Sequence, residues 1–377
     1  MMADLIHYVK THAQTFSALP LTDVDGVILA QLAYVDFHAL NRHHIHRLAD
    51  LTDPLLIKDV VRLTWNAAAN FNLLLTLQHS PRFRNIRWHD WIKSADLETE
   101  KQFCAVTFDL GPSTHYIAYR GTTATLTDWK EDFNMTFMRD IPSQRSALRY
   151  YQKQASRHPG TYFLGGHSKG GNLAVFTCLH SRGFLQNQIQ RVFSVDGPGT
   201  KKPLPAAVQA KVTKFIPQAS IIGLLLEPQT GYQVVKSNAF GFRQHDPFTW
   251  EVNNASFALL TTTSRFSQLT QQSVSTWLSQ LDNATKKEFL DSLFSVLRAT
   301  HYQDFRDMSA NWEISVRLIL KALSDTSPQV KHQWRTVTGQ LIGTFFSGAT
   351  ETMKPQLKLP EVHLPALPRK KPLTKTK

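Results

Sequence analysis

The sequence predicts an α/β protein: a mostly parallel sheet flanked by helices, with a helical C-terminal addition and a disordered tail. Three observations predict it. Between residues 103 and 236 short β-type runs alternate with helical segments, as in sheets whose parallel strands are joined by crossover helices. Beyond about residue 255 the strand signal stops and helical periodicities follow. From Lys354 a proline recurs every few residues, which neither a helix nor a central strand accommodates.

Thr22 or Asp23 is placed to cap a first helix, with Val24, Ile28, Leu32 and Val35 at helical spacing. Residues 41–90 are rich in His, Arg and Trp, with a helix near Asp59–Leu77; they read as a solvated helical face. FCAVTFDL (103–110) and HYIAYRG (115–121) are β-type runs separated by the turn pair Gly111-Pro112, hence neighbouring strands. An amphipathic stretch from Asp128 and a helix near Ser143–Arg157 follow. TYFLGG (161–166) reads as a strand, then a small-residue turn and the helix NLAVFTCLH. RVFSVDGPG (191–199) is a strand ending in a turn, followed by a helix near Pro205–Lys211 and two strands, TKFIP and YQVVKS.

Four helical segments then fall near 266–281, 284–298, 311–324 and 327–346. In the last, Val330, Trp334, Val337, Leu341 and Phe345 form an apolar stripe. The organisation is an N-terminal helical segment (1–95), an α/β core (96–255), a helical addition (256–350) and a basic, Pro-rich disordered tail (351–377).

Of 377 residues 42% are apolar and 19% charged, which excludes collagen, coiled coil and wholesale disorder. The formal charge of +13 normally points to nucleic acid or an anionic membrane. From Lys354 onward, however, seven Lys/Arg stand against one acid, so about half of the excess sits in the tail. No nucleic-acid partner is expected; peripheral contact between the tail and an anionic membrane is. Cys104 and Cys178 lie in apolar runs and make no disulfide framework. With no basic start and no long apolar stretch, the N-terminus does not read as a signal peptide. A cytoplasmic location is expected. No C-x-x-C, H-E-x-x-H, P-loop or G-x-G-x-x-G occurs in a credible context, so no cofactor or metal is expected.

The string Gly165-Gly166-His167-Ser168-Lys169-Gly170-Gly171 contains G-x-S-x-G between an apolar strand and a helix. That setting requires a sharp turn, with Ser168 exposed above the sheet edge as a nucleophile. Side chains at positions 166 or 170 would strike the neighbouring strand and helix. The backbone N–H of Lys169, at the helix start, falls where it can stabilise an oxyanion. His167 is expected to point away, into packing. A serine hydrolase needs a second donor, usually from the loop after strand three, here Tyr119 to Trp129.

That loop, YRGT…DW, together with GGHSKGGNLA, resembles the class-3 (fungal-type) lipase branch of the α/β-hydrolases. More closely, the chain is similar to a family of uncharacterised bacterial lipase-like proteins. TDVDGVILAQLAYVDF, YRGT…DWKEDFNM, GGHSKGGNLAVF, VDGPG and QHDPFTW carry the resemblance over roughly residues 20–255. It implies an α/β-hydrolase fold, a lipid or other acyl-ester substrate, and Thr122 as the second oxyanion N–H with its hydroxyl as helper. Asp128, Trp129, Glu131 and Asp132 read as locking this loop to the next helix, and Lys169 as buttressing a carboxylate or meeting an anionic group.

In this fold the order is Ser, acid, His. His180 lies roughly 18 Å along the helix leaving the turn, too far to serve. His363 is in the tail, and His301 and His332 belong to the helical addition. His245 lies in a loop after the last strand, where the base normally sits, and the resemblance points to it as well. Asp196, which ends the strand after the turn helix, is the acid expected, and Glu227 is the reserve. Class-3 lipases carry the acid after the next strand, where this sequence has Ser220, so an uncharged Ser220 orienting His245 is the third reading. The rival to catalysis is a non-catalytic protein of this fold that binds an acyl ligand or a protein partner.

Overall fold

The structure is a computed structural model that describes residues 3–298, apart from 97, 124, 125, 229, 230, 266, 269, 270 and 272–281. Strands β1 (Arg87–Asp96), β2 (Lys101–Gly111) and β3 (Thr114–Tyr119) form an antiparallel meander. From β3 the sheet turns parallel: β4 (Thr161–His167), β5 (Ile189–Val195), β6 (Val212–Pro217) and β7 (Gln233–Val235) add in chain order. After a small hairpin of β8 (Val252–Asn253) and β9 (Ser256–Phe257), β10 (Leu259–Leu260) pairs antiparallel with β7. Among the described residues this makes an eight-stranded sheet.

Strands that add in chain order through right-handed crossovers keep placing those crossovers on one face. The other face needs a separate cover. The N-terminal helices supply it: α1 (Leu5–Thr11), α2 (Asp23–Leu32), α3 (Phe37–Arg42), α4 (Pro54–Val60) and α5 (Ala67–Leu77). They bury Val106, Phe108, Tyr116, Ala118, Phe193 and Val195 of the sheet. On the crossover face lie α6 (Leu126–Asn134), α7 (Pro142–Arg157), α8 (Lys169–His180), α9 (Gly183–Gln188) and α10 (Ala206–Gln209). Residues of opposite parity, such as Ala105, Ile117, Tyr119 and Val192, pack there, as the period of two along a strand demands.

The N-terminal layer is locked by charge as well as by apolar area. Thr22 caps α2 in a reciprocal capping box with Asp25. The fully buried Asp25 carboxylate also accepts from Arg82 at 2.5 and 2.9 Å and from the Tyr8 hydroxyl at 2.9 Å. The other Arg82 N–H groups reach the carbonyls of Gln14, Leu19 and Pro20.

Three elements differ from the sequence reading. The helix expected near Asp59–Leu77 is two, α4 and α5, because Asn66 caps a new start by accepting from the Ala69 amide at 3.1 Å. The segment read as helical to residue 95 ends in β1, whose alternation is blurred by half-exposure and by a register shift between His89 and Ile92. Strand structure also continues past residue 255, in β9 and β10.

Beyond the sheet, α11 (Asn283–Arg298) packs on α6. Lys130 bridges Glu100 and Asp291 at 2.5 and 2.8 Å, and Phe133 meets Phe294. The helices expected near 311–324 and 327–346, most of that near 266–281, and the tail with its expected membrane contact lie outside the described residues. No helix among the described residues is long and apolar enough to cross a membrane. A mostly parallel sheet, helices on both faces and a sharp strand-to-helix turn after β4 make this an α/β-hydrolase fold.

Candidate active site

The turn between β4 and α8 places Ser168 at φ 58° and ψ −130°, a conformation sparsely populated by any residue but glycine. The neighbours force it. A Cβ at Gly166 would meet the backbone of Gly170 and of Tyr119, and one at Gly170 would meet the Tyr119 carbonyl. Strand β3 and helix α8 therefore close on the turn from two sides, while the Ser168 amide is tied to the Val195 carbonyl at 2.9 Å.

Asp196 follows β5, one strand over, also at positive φ (45°) and 1% exposed. Its amide donates to the Phe215 carbonyl at 2.8 Å, fixing it to β6. Its carboxylate has two partners. Oδ2 lies 2.6 Å from Nδ1 of His245, and Oδ1 accepts from the Ser220 hydroxyl at 2.5 Å. The Ser220 oxygen in turn accepts from the Gly223 amide at 2.9 Å. His245 ends a short 3₁₀ turn, Gly241–His245. With Nδ1–H given to Asp196, Nε2 is the ring nitrogen left to take a proton. One solvent-open cleft is lined by Ser168, His245 and Thr122 together.

Of the three residues weighed for this role, Asp196 touches His245 and Ser220 touches Asp196. Glu227 is elsewhere, paired with Lys214 in a separate cleft. The Thr122 hydroxyl, expected as an oxyanion helper, donates to Asp132 instead. Lys169 begins α8, and its side chain is fully buried, 3.0 Å from Glu131 and 3.6 Å from Asp132. It buttresses carboxylates and does not reach into the cleft. The side chains of Asp128 and Trp129 lie outside the described residues.

Residues 77–295 match the Mbeg1-like family model, more than half of the chain. The chain belongs to the Mbeg1-like family. No curated protein matches it. Among solved structures, M37 lipase is similar at 14% identity and a TM-score of 0.35, over 54% of this chain and 69% of that one. Lipase II from Rhizopus niveus is similar at 13% identity and a TM-score of 0.34, over 64% and 83% of the two chains. The Rhizomucor miehei lipase in its propeptide complex is similar at 15% and 0.32, over 51% and 68%.

In this Mbeg1-like chain His167 does more than pack. Its Nε2 lies 2.7 Å from the His245 carbonyl, which can only accept, so Nε2 carries the proton. Nδ1 then accepts from the Tyr34 hydroxyl at 3.2 Å. The two imidazoles lie 4.4 Å apart, so His167 holds the loop that carries His245. Asn66 holds it from the far wall, donating to the Asp246 carboxylate at 2.7 Å. Tyr34 falls in the string TDVDGVILAQLAYVDF, but its partner lies 133 residues away, and nothing local marks Asn66, whose partner lies 180 residues away.

Burial, reinforced by the neighbouring His245, pushes the His167 pKa well below the usual 6.5. The unfolded chain protonates this residue near 6.5 and the folded chain does not. Below that pH the unfolded state binds more protons, so stability falls as pH falls. Melting temperature should decline from about pH 7 to about pH 5, and His167→Asn should flatten the slope. An unchanged slope would assign the acid sensitivity to other groups.

Proposed function

We propose that the chain is a serine ester hydrolase, lipase- or esterase-like, cleaving an acyl ester through an acyl-enzyme intermediate. The contact of the buried Asp196 with His245, which lines one cleft together with Ser168, carries the reading. Ser168 Oγ attacks the ester carbonyl carbon as its proton passes to His245 Nε2. Asp196 keeps the ring in the needed tautomer and stabilises the imidazolium that forms. The amides of Lys169 and Thr122 receive the oxyanion. Collapse of the tetrahedral intermediate expels the alcohol, which takes the proton from His245. Water then attacks the acyl-Ser168 carbonyl as His245 takes its proton; the bond to Ser168 Oγ breaks, that oxygen takes the proton back from His245, and the carboxylic acid leaves.

Trp65, Pro247 and Phe248 on the cleft wall suit an acyl chain better than a charged substrate. Lipid or another acyl ester is the substrate class that the lipase likeness suggests. A fluorophosphonate probe tests the assignment directly, since it labels activated serines. Peptide mapping should find the adduct on Ser168. No adduct, or one on another serine, retires the enzyme reading in favour of a non-catalytic acyl- or protein-binding role.

A further inference from the structure

At the opposite end of the sheet, three donors from three strands converge on one point. Asp109 of β2 pairs directly with His115 of β3 and sits diagonally from His89 of β1, all on the face that carries α7. His115 Nδ1 lies 2.8 Å and His89 Nε2 3.3 Å from the same carboxylate oxygen, Oδ1 of Asp109. The three ligand atoms lie within 4.8 Å of one another. A tetrahedral zinc with bonds of about 2.0–2.1 Å separates its ligand atoms by about 3.3 Å, which matches the His89 spacing and is about half an ångström beyond the His115 one.

The surroundings extend the pattern. A bulge between His89 and Ile92, with Asp90 at φ 51°, brings two consecutive side chains to one side, which a regular strand forbids. Asp90 Oδ2 then lies 2.8 Å from His89 Nδ1. Carboxylate, imidazole and converging donor set are in the order by which metal-binding histidines are oriented. The side chains of His89, Asp109 and His115 are 25%, 38% and 10% exposed, so an ion can enter.

We propose that His89, Asp109 and His115 form a zinc-type divalent transition-metal site, with Asp90 orienting His89 and water filling the remaining position. Its role is structural. His115 pairs with the second residue of β4, whereas Ser168 follows the last, a separation of roughly 20 Å at strand rise. The metal would pin β1 and β2, the antiparallel edge, to β3. No sequence motif announces it, because the donors are scattered over three strands.

Chelator-treated full-length chain, free of any tag, is titrated with Zn²⁺ alone by calorimetry, and with Co²⁺ by visible absorption. About one equivalent of zinc should bind and raise the melting temperature. His89→Gln and Asp109→Asn should each weaken binding at least about a hundredfold, and Asp90→Asn about ten- to a hundredfold. Zinc binding that survives His89→Gln and Asp109→Asn belongs to other histidines and overturns the site, as does no binding at micromolar zinc. Should a variant lose its fold, wild-type Co²⁺ decides: four-coordinate nitrogen–oxygen bands support the site, and a purely aqueous Co²⁺ spectrum overturns it.

Discussion

Ser168→Ala and His245→Ala should each lower turnover of a soluble p-nitrophenyl ester about 10⁶-fold, and Asp196→Asn about 10⁴-fold, without loss of fold. The sizes differ because the groups act at different removes. Ser168 and His245 exchange the bond and the proton. Asp196 acts only through His245: an amide there presents a donor to Nδ1, favours the wrong tautomer and leaves the imidazolium without a counter-charge. Ser220 acts one step further out. Ser220→Ala leaves the His245 contact in place but removes one charge-assisted hydrogen bond from the Asp196 carboxylate. Such a bond contributes about 1.5–3 kcal/mol, hence a loss of about ten- to a hundredfold if it all falls on the transition state. Glu227→Gln, in the separate cleft of Lys214, should leave turnover per folded molecule unchanged. Near-wild-type turnover in Asp196→Asn would remove Asp196 from the mechanism, and equal losses at Ser220 and Asp196 would make the pair a single unit.

The parts of this site that could be read in sequence are those fixed locally. The turn at Ser168 is set by glycines at positions 166 and 170 and by a strand and a helix on either side, all within a few residues. His245 could be reached by elimination, because chain order leaves few histidines in a usable place. The acid could be favoured at Asp196 but not separated from Glu227 or Ser220. Asp196 ends β5 and Ser220 follows β6; only the pairing of the two strands shows that Ser220 and His245 meet at the Asp196 carboxylate. Likewise, β1 is a half-exposed edge strand with a bulge, so its period of two is weak. Residues 41–90, which hold α4 and α5, read as a solvated face from composition. Their burial follows from topology, since crossovers confined to one side leave the other to be filled. The His89, Asp109 and His115 cluster was missed for a related reason: cross-strand neighbours share a register and no sequence spacing.

Breaking the buried Lys169–Glu131 pair should have a large effect on stability. Both side chains are fully buried, and removing one partner of such a pair costs about 3–5 kcal/mol. The two halves are unequal. Glu131 accepts from Lys169 Nζ, from the Gln102 amide at 3.0 Å, and from the amide and hydroxyl of Ser143 at 3.0 and 2.8 Å. In Lys169→Met the carboxylate keeps its three uncharged donors, so the loss should fall near the lower end, about 3 kcal/mol. In Glu131→Leu the amides of Gln102 and Ser143 lose their acceptor and Lys169 loses its 3.0 Å partner, with Asp132 standing off at 3.6 Å, so the loss should approach about 5 kcal/mol. Urea unfolding midpoints measure both. The double variant Lys169→Met/Glu131→Leu removes the charge problem but leaves the same amides unpaired, so it should stay well below wild type. Full recovery would mean that charge burial alone sets the cost and that the backbone bonds contribute little. Activity should follow stability only in part. The Lys169 amide survives its side chain, but Asp132, which neighbours Lys169, also holds the Thr122 hydroxyl. Lys169→Met therefore loosens the loop that would supply the second oxyanion donor, and kcat should drop more than the folded fraction does.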